Sequence, residues 1–227
     1  MRKGFHEVAL HQTITKVDVH DDHILRNCSA QEFVDALVGR SFVETYRRGK
    51  YFFADLDDGR SVLFHLGMTG DLRYYYVKED AAAFERFTIV LDNNLHIGFD
   101  DQRKFARILI LGDRGEYITQ VGLGPDALTM SKEDFSGAFS GRKTSVKAVM
   151  LNQSLMAGIG NLYADEICYQ SRIHPGSRAG ALSARQVNKM YTKMQNILAL
   201  AVERDAYYKV YPDDWFWKWR DLNATPP

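Results

Sequence analysis

The 227-residue sequence has few of the features that mark secreted, disulfide-stabilised or membrane proteins. Its two cysteines, Cys28 and Cys168, lie far apart and outside any Cys-x-x-Cys pair. This spacing excludes a disulfide framework and a cysteine zinc site. No apolar run approaches the roughly 18 residues that a membrane span requires, and the N-terminal residues lack the apolar segment of a secretory signal. We therefore expect a cytoplasmic protein without membrane contact.

The sequence also has no net charge, but its charges are unevenly distributed. Lys and Arg number 29, as do Asp and Glu, and 45% of the residues are apolar, which is typical of a globular protein. Residues 1–140 contain 17 basic and 22 acidic side chains, whereas residues 141–227 contain 12 and 7. A basic C-terminal part on a neutral chain indicates a surface that could meet a polyanion such as nucleic acid.

The first half of the chain is predicted to be antiparallel β-structure with one early helix. Ser29-Ala30-Gln31-Glu32 is a capping box that opens a helix through Phe33 to Gly39. Asp57-Asp58-Gly59 and Asp92-Asn93-Asn94 are typical hairpin turns. The predicted strands are 13–19, 51–56, 61–66, 72–77, 88–91, 95–99 and 105–111. Closely spaced strands with tight turns favour a sandwich or barrel over a parallel sheet.

The second half is predicted to be helical. Ser131 starts a helix-like segment, and Ser183-Ala184-Arg185-Gln186 is a second capping box. After it, apolar residues recur at the helical period, and we interpret this stripe as core. The stripe consists of Val187, Met190, Tyr191, Met194, Ile197, Leu198, Ala201 and Val202. Turn residues cluster at 122–126, which predicts one domain of residues 1–122 and another of residues 123–227.

A glycine-rich segment in the second half carries a possible anion-binding loop. Residues 157–166 read Ala-Gly-Ile-Gly-Asn-Leu-Tyr-Ala-Asp-Glu. Two glycines permit a tight turn, and Asn161 is a good N-cap for a following helix. The free N–H groups of a helix start bind phosphate. The same spacing also suits a helix connector in which the glycines serve only packing.

A second loop places a methionine between two predicted strands. In His65-Leu66-Gly67-Met68-Thr69-Gly70 the glycines force a tight turn with Met68 at its tip. An exposed apolar side chain in this position can insert between stacked bases. The alternative is that Met68 folds back onto the sandwich.

A third cluster, residues 101–107, combines cations with an aromatic ring. Arg103 and Lys104 precede Phe105 in this segment. Cations suit phosphates and base edges, and a ring suits stacking on a base. An ordinary solvated strand edge with a buried Phe105 is the alternative interpretation.

In this order the motifs resemble those of the formamidopyrimidine-DNA glycosylase and endonuclease VIII family of base-excision repair enzymes. The resemblance runs through residues 48–51, 65–70, 101–106, 122–125 and 151–175. It implies an α+β fold, in which an antiparallel β-sandwich precedes a helical helix–two-turns–helix domain that binds DNA. It also implies a monomeric DNA glycosylase and AP lyase, which acts on double-stranded DNA containing a damaged or abasic nucleotide. Its location would be cytoplasmic, and on the nucleoid in a bacterium.

The resemblance assigns roles to individual positions. Met68 would fill the gap left by the everted nucleotide, Arg103 would face the orphaned base, and Phe105 would wedge beside it. The base must leave the stack because its glycosidic carbon is unreachable inside the duplex. Further DNA-binding positions are Lys50, His65, Lys104, Lys147, Gly160, Asn161 and Tyr163. Lys50 would lie closest to the chemistry and keep the ordinary lysine pKa of about 10.4.

The sequence departs from the family pattern at both of its ends. The family nucleophile is an N-terminal proline followed by a glutamate, because a secondary amine can form an iminium with the sugar carbon. This sequence begins Met1-Arg2-Lys3 and its first proline is Pro125, while Glu7 does not match the family glutamate. The family usually continues into a zinc finger or an equivalent hairpin, which two distant cysteines cannot build. We therefore expect no zinc and no other cofactor.

Three hypotheses follow for the function. The first is a DNA glycosylase and AP lyase, whose turnover is expected to be impaired because these 227 residues lack the family's N-terminal proline. The second is a catalytically silent protein that binds damaged DNA. A third, more distant hypothesis is a helical-domain protein that binds RNA through the loop at 158–161.

Overall fold

The computed structural model describes residues 2–77 and 80–219. The chain divides into two compact units, the first ending at Val121 and the second starting at Gly122. None of the helices in these described ranges is long and apolar enough to cross a membrane.

The first unit is a β-sandwich of two four-stranded antiparallel sheets. One sheet has the order β1-β6-β7-β5 and the other the order β2-β3-β4-β8. The elements are α1 (Arg2–Ala9), β1 (Ile14–Val19), α2 (Ala30–Leu37), β2 (Phe42–Arg48), β3 (Tyr51–Leu56), β4 (Ser61–His65), β5 (Asp71–Tyr75), β6 (Glu85–Leu91), β7 (His96–Asp100), β8 (Arg107–Leu111) and α3 (Arg114–Gln120). This architecture confirms the sandwich, the two hairpins and the helix that starts at the Ser29 capping box.

The sequence pattern predicted one helix in the first unit and missed α1 and α3. Among the strands, it missed β2. It is an edge strand, paired with β3 alone among the strands of its sheet. Its second half is only partly buried and ends in Arg47 and Arg48. An edge strand with charged outward side chains lacks the apolar alternation from which the other strands were predicted.

Phenylalanine rings fill the space between the two sheets. Phe5 from α1 lies edge-on against Phe42 and Phe52, with ring centroids 5.0 and 5.2 Å apart. Phe87 and Phe99 stack at 5.3 Å on the opposite sheet. Each of these five side chains is almost fully buried. Through Phe5, helix α1 is thus part of the core. Burying one such ring stabilises the fold by about 1.5–3 kcal/mol.

Helix α3 covers part of the outer face of the β2-β3-β4-β8 sheet. Its Tyr117 and Ile118 pack against a small cluster formed by Phe53, Leu63 and Leu111. The side chain of Asp113 caps the helix by accepting from the Glu116 N–H. This outer face therefore has a small apolar cluster of its own, separate from the main core.

In its described residues, 122–219, the second unit has four α-helices around one apolar core. They are α4 (Lys132–Phe139), α5 (Val146–Leu151), α6 (Asn161–Ser171) and α7 (Ala184–Glu203). The Ser183 capping box opens α7 as predicted. Most of the predicted stripe is buried, but Val202 is 62% exposed and Tyr191 is only partly buried. The prediction of a core position was wrong for Val202, because it lies on the solvent side of the last turn of α7, whose inner side is buried through Leu198 and Ala201.

A buried carboxylate attaches the C-terminal segment to α6. Glu166 is fully buried and accepts hydrogen bonds from the Phe216 and Trp217 N–H groups at 3.3 and 3.1 Å. The Gln170 amide donates a third bond at 2.9 Å. Burial raises the pKa of Glu166, and these donors partly offset the rise.

Candidate nucleic-acid interface

Two loops of the sandwich meet backbone to backbone. The Met68 loop (residues 66–70) joins β4 to β5, and the Arg103 loop (residues 101–106) joins β7 to β8. Gly67 has φ +61°, and a Cβ there would lie 2.5 Å from the Phe105 carbonyl carbon and oxygen. No other residue fits this position, because both the conformation and the close contact exclude a side chain.

A buried carboxylate ties the two loops together. Asp101 is fully buried. Its carboxylate accepts the Ala106 N–H at 2.8 Å and the Thr69 hydroxyl, and the Thr69 Oγ1 accepts the Arg103 N–H at 3.2 Å. Charge-assisted hydrogen bonds of this kind are about twice as strong as neutral ones. Asp101 thereby fixes the Met68 and Arg103 loops as one unit.

The joined loops expose an apolar and cationic tip. Met68 is 70% exposed and Phe105 is 49% exposed, so neither folds back onto the sandwich. The Arg103 guanidinium carbon lies 4.7 Å from the centroid of the Phe105 ring, and its Nη1 lies 3.5 Å from the Met68 sulfur. A thioether and an aromatic ring can insert between stacked bases, and a cation in contact with them can bind the base that is left unpaired.

Lys104 differs from its neighbour because its charge is already paired. Its ammonium lies 2.5 Å from Asp21, which also binds Arg86 at 3.1 Å. The hydrogen bond from Lys104 is the main cause that lowers the pKa of Asp21. Lys104 has a φ of 55°, which is rare outside glycine. The geometry therefore favours a structural role for Lys104 in shaping the loop.

Lys50 and His65 lie at the same end of the β2-β3-β4-β8 sheet, where the Met68 loop begins. Lys50 follows β2 in the turn to β3, and His65 is the last residue of β4. Tyr51 is the cross-strand partner of His65, with ring centroids 5.1 Å apart. Desolvation lowers the pKa of Lys50, although the residue as a whole is exposed. The expectation of an ordinary lysine pKa was therefore wrong, since the amine group is less hydrated than on an open surface.

The pKa of His65 is lowered as well. Burial is the largest cause, and the positive charges of Arg107 and Lys50 add to it. The His65 Nδ1 accepts the Gly67 N–H at 3.3 Å. An imidazole held neutral between two cations marks a local positive field, which attracts anions.

In the second unit a glutamine organises the glycine-rich loop. The Gln153 side chain accepts the Gly158 N–H at 3.0 Å and donates to the Leu151 and Ile159 carbonyls, both at 2.9 Å. Gly158 has φ +115°, which a side chain would strain. Three bonds from one amide hold the loop in a defined shape just before α6.

The start of α6 corrects the predicted cap. The N-cap is Gly160, and Asn161 is the first helical residue. Gly160 has no side chain, so no side-chain hydrogen bond caps the helix. The first N–H groups of α6 thus lack a capping side chain, which suits an anion better than the predicted Asn161 cap would.

Lys147 and Tyr163 already have partners within the second unit. The Lys147 ammonium forms an ion pair of 2.6 Å with Asp165. The Tyr163 hydroxyl hydrogen-bonds that of Tyr211 at 3.0 Å, and burial raises the pKa of Tyr163. A phosphate at Lys147 would have to replace Asp165, and the Tyr163 hydroxyl is already bonded to that of Tyr211.

The cysteines and acidic side chains form no metal centre in the described ranges 2–77 and 80–219. Cys28 is partly buried in the first unit and Cys168 is buried in the second, both as free thiols. Burial raises the pKa of both thiols, which keeps them protonated and unreactive.

Sequence reasoning missed the residues that hold the loops in place. Asp101, Thr69 and Gln153 all lie in the motifs noted above, but no role was assigned to them. For Asp101 and Thr69 the signal is a short polar side chain beside a charged residue or a glycine, whereas Gln153, between Asn152 and Ser154, has no such signal. Such residues fasten loops through side-chain to backbone bonds, and the partners become known only from the fold.

We predict that Asp101→Asn loosens both loops without unfolding the sandwich. An amide accepts more weakly than a carboxylate, and bonds to a charged acceptor are worth about 1.5–3 kcal/mol. Hydrogen exchange of the Ala106 and Arg103 amides should therefore be roughly 10- to 100-fold faster than in the unmodified chain. Asp92→Asn, at an exposed turn carboxylate that accepts the Thr13 N–H, is the control. Unchanged exchange in D101N would contradict the role of Asp101.

Two family models match the chain. The formamidopyrimidine-DNA glycosylase N-terminal domain matches residues 1–108, and the formamidopyrimidine-DNA glycosylase H2TH domain matches residues 121–210.

Similar curated proteins carry the same family name. A formamidopyrimidine-DNA glycosylase from Arabidopsis thaliana is 29% identical over 97% of this chain and 60% of its own length. The protein of that name from Herpetosiphon aurantiacus is 31% identical over 79% of this chain and 70% of its own length. The protein of that name from Heliobacterium modesticaldum is 34% identical over 84% of this chain and 72% of its own length. The chain thus spans less than two thirds of the plant relative.

Solved structures share the fold. Lactococcus lactis formamidopyrimidine-DNA glycosylase bound to DNA containing an AP site has a TM-score of 0.83 at 21% identity, covering 92% of this chain and 81% of its own. The same protein with FAPY-dG-containing DNA has a TM-score of 0.82 over 89% and 77%. These likenesses confirm the α+β fold of a sandwich followed by a helix–two-turns–helix domain. The two matching family models, together with the relatives that are 31 and 34% identical, show that the chain belongs to the formamidopyrimidine-DNA glycosylase family.

Proposed function

We propose that this chain is a DNA repair protein of the DNA glycosylase and AP lyase type, which binds double-stranded DNA at a damaged or abasic nucleotide. The observation that carries the proposal is the exposed tip formed by Met68, Arg103 and Phe105. An exposed apolar cluster on rigidly joined loops gains free energy by entering a base stack. The protein would act as a monomer on cytoplasmic DNA, or on the nucleoid in a bacterium.

The tip would replace the everted nucleotide. Met68 fills the space in the stack, Phe105 wedges beside it, and Arg103 presents its hydrogen-bond donors to the orphaned base. Unstacking one nucleotide costs a few kcal/mol, less when the base is damaged or absent. Preorganisation by Asp101 supports the proposal, because the loops need no ordering when they bind.

The phosphates would be held by groups in each unit. Beside the Met68 loop, Lys50 offers positive charge and the neutral His65 imidazole offers its Nε2–H as a donor. The uncapped N–H groups at Gly160 and Asn161 offer a helix-start site. Lys147 would exchange Asp165 for a phosphate. These contacts carry no sequence information and position the backbone.

We further propose that the 227 residues alone have little catalytic turnover. Base expulsion needs a nucleophile at the sugar carbon and a group that manages the proton. No proline occurs before Pro125, and Lys50 is the nearby amine that the resemblance offers. Its lowered pKa increases the neutral fraction, which is about one in 2,500 at pH 7 for an ordinary lysine. A bound phosphate would oppose this gain, since it favours the ammonium form. The alternative is a catalytically silent protein that binds damaged DNA.

The test of DNA binding is its dependence on salt. If about three or four phosphates are neutralised, each contributes roughly −0.9 to the slope of log affinity against log salt. The affinity for an abasic duplex should therefore fall roughly 40- to 150-fold between 50 and 200 mM salt. Lys50→Gln should lower the slope by about one, whereas Lys16→Gln, at an exposed lysine paired with Asp18, should not. An affinity that is independent of salt would refute the proposal.

Met68→Ala is expected to weaken binding to abasic DNA selectively. Inserting this exposed side chain into a stack buries apolar area worth about 1–2 kcal/mol, so the loss should be roughly 5- to 30-fold on an abasic duplex and under threefold on an intact one. The measurement is a pair of binding isotherms at fixed salt. Val202→Ala, at an exposed position of α7, is the matched control. Equal losses on both duplexes would mean that Met68 does not enter the stack.

Borohydride trapping distinguishes the enzyme from the silent binder. We expect residues 1–227 to form little covalent adduct with an abasic duplex at pH 7. Any adduct at Lys50 should increase as the pH rises, because deprotonation supplies the attacking amine, and should disappear in Lys50→Gln. A strong adduct at neutral pH would overturn the prediction of low turnover, and peptide mapping would identify the nucleophile.

A further inference from the structure

A largely buried arginine outside the exposed tip holds the Arg103 loop from a second side. Arg86 lies on β6, and its side chain is only 12% exposed. Its Nε donates to the Asp101 carbonyl at 2.9 Å, and its Nη2 donates to the Gln102 carbonyl at 3.4 Å. These carbonyls belong to the two residues immediately before Arg103. One guanidinium group thus binds the backbone that leads into the tip.

Asp21 fixes the position of this guanidinium group. The Asp21 carboxylate accepts hydrogen bonds from the Arg86 Nη1 and from the His23 N–H, both at 3.1 Å. It also binds the Lys104 ammonium at 2.5 Å. The hydrogen bonds from Lys104 and His23 lower the pKa of Asp21, so the carboxylate is ionised at neutral pH. Because Lys104 immediately follows Arg103, Asp21 connects the groups on both sides of Arg103.

Backbone hydrogen bonds attach the segment around Asp21 to β6 without help from the Arg86 side chain. The Arg86 carbonyl accepts the His20 N–H at 2.8 Å and the Asp21 N–H at 3.0 Å. Before this point β1 and β6 are paired from Ile14 to Val19. A buried guanidinium group is tolerated only when it is paired and hydrogen-bonded. The bonds of the Arg86 side chain to two loop carbonyls therefore act on the loop and not on the sheet.

Arg86 and the Asp101 carboxylate hold different parts of the loop. The carboxylate accepts the Ala106 N–H at the end of the loop, whereas Arg86 binds the carbonyls at its start. Arg103 lies between these two points, and its own N–H donates to the Thr69 Oγ1 at 3.2 Å. The backbone is therefore fixed before and after Arg103, which limits the directions that its side chain can take.

We propose that Arg86, held by Asp21, is a positioning residue that sets the direction of the Arg103 side chain, and thereby the preference of the protein among the bases opposite a damaged or abasic nucleotide. This inference rests on the proposed function, in which Arg103 faces the orphaned base. A recognition group must lie within about 0.5 Å of its productive position. Arg86 acts on that position through the loop backbone and not by contact with the base.

The first test is hydrogen exchange of the chain without DNA. In Arg86→Gln the two loop carbonyls lose a charged donor, so the start of the loop should open more often. We expect the Arg103 amide to exchange roughly 3- to 10-fold faster than in the unmodified chain. The Ala106 amide, which the Asp101 carboxylate holds, should keep its rate. An Arg103 amide that exchanges at its original rate would overturn the positioning role.

The second test measures how binding depends on the opposite base. Binding isotherms at fixed salt compare abasic duplexes that differ only in the base opposite the abasic site. For the unmodified chain we expect the affinities for the best and the worst opposite base to differ roughly 5- to 100-fold, as for a well-placed arginine on a base edge. Arg86→Gln and Asp21→Asn should each bring this ratio toward one, by roughly 3- to 10-fold.

The ratio of affinities separates positioning from a merely structural role. A variant that folds less well loses affinity for every duplex by the same factor, so the ratio between two opposite bases stays constant. A variant that leaves Arg103 free to move loses affinity mainly for the best opposite base. Thermal unfolding checks that each variant is folded at the temperature of the isotherms.

Two further variants serve as the conservative replacement and the matched control. Arg86→Lys keeps the charge beside Asp21 but lacks the planar fork that binds two carbonyls, so it should restore part of the ratio lost in Arg86→Gln. Arg60 likewise pairs with a carboxylate, that of Asp58 at 2.6 Å, and donates to the Ala36 carbonyl at 2.9 Å. It lies in the turn between β3 and β4, so Arg60→Gln should leave the ratio unchanged.

The inference and the proposed function fail in different ways. An unchanged ratio in both Arg86→Gln and Asp21→Asn would overturn the inference, as would an unmodified chain that binds abasic duplexes equally whatever the opposite base. Binding of abasic DNA that still depends on salt would then leave the proposed function intact. An unmodified chain that binds no abasic duplex would instead refute the proposed function, and the positioning role with it.

Discussion

The buried carboxylate of Asp101 is the constraint on which the candidate interface depends. A fully buried charge is tolerated only when hydrogen bonds replace its water, and here the donors come from both loops. The Gly67 contact with the Phe105 backbone allows those donors to approach. Because these two conditions hold, Met68 and Phe105 can remain exposed without the loops collapsing onto the core. The exposure of Met68 and Phe105 is thus maintained by the hydrogen bonds of Asp101 and Thr69.

In each unit a single polar side chain fixes the candidate binding loop, but the two side chains differ in chemistry. In the sandwich an anionic side chain, Asp101, fixes loops that display apolar and cationic groups. In the helical unit the neutral amide of Gln153 fixes a loop that displays backbone N–H groups at the start of α6. A carboxylate at position 153 could not donate to the Leu151 and Ile159 carbonyls. The choice of amide against carboxylate follows from whether the loop requires donors as well as acceptors.

Local signals in the sequence predicted most of the fold, but not what depends on distant partners. Capping boxes at Ser29 and Ser183 and the hairpin turns act within a few residues, so they were correct. Strand β2 was missed because its burial is decided by α1 and β3. The cap at Asn161 was misplaced by one residue, since glycine and asparagine are both good caps. The candidate site residues came from motif order and resemblance, whereas the pairing of Lys104 with Asp21 and of Lys147 with Asp165 required the fold.

The cations discussed above are of two kinds, those paired with a carboxylate and those without such a pair in the described residues. Lys104 and Lys147 are held by carboxylates, and a phosphate must displace that carboxylate before it gains their charge. Such an exchange returns little net electrostatic free energy, because one anion replaces another. Lys50 and Arg107 form no carboxylate pair in the described part of the chain, so an arriving phosphate has no anion to displace from them. The gain in affinity per cation should therefore be larger along the edge of the sandwich that carries His65 than at either carboxylate-paired lysine.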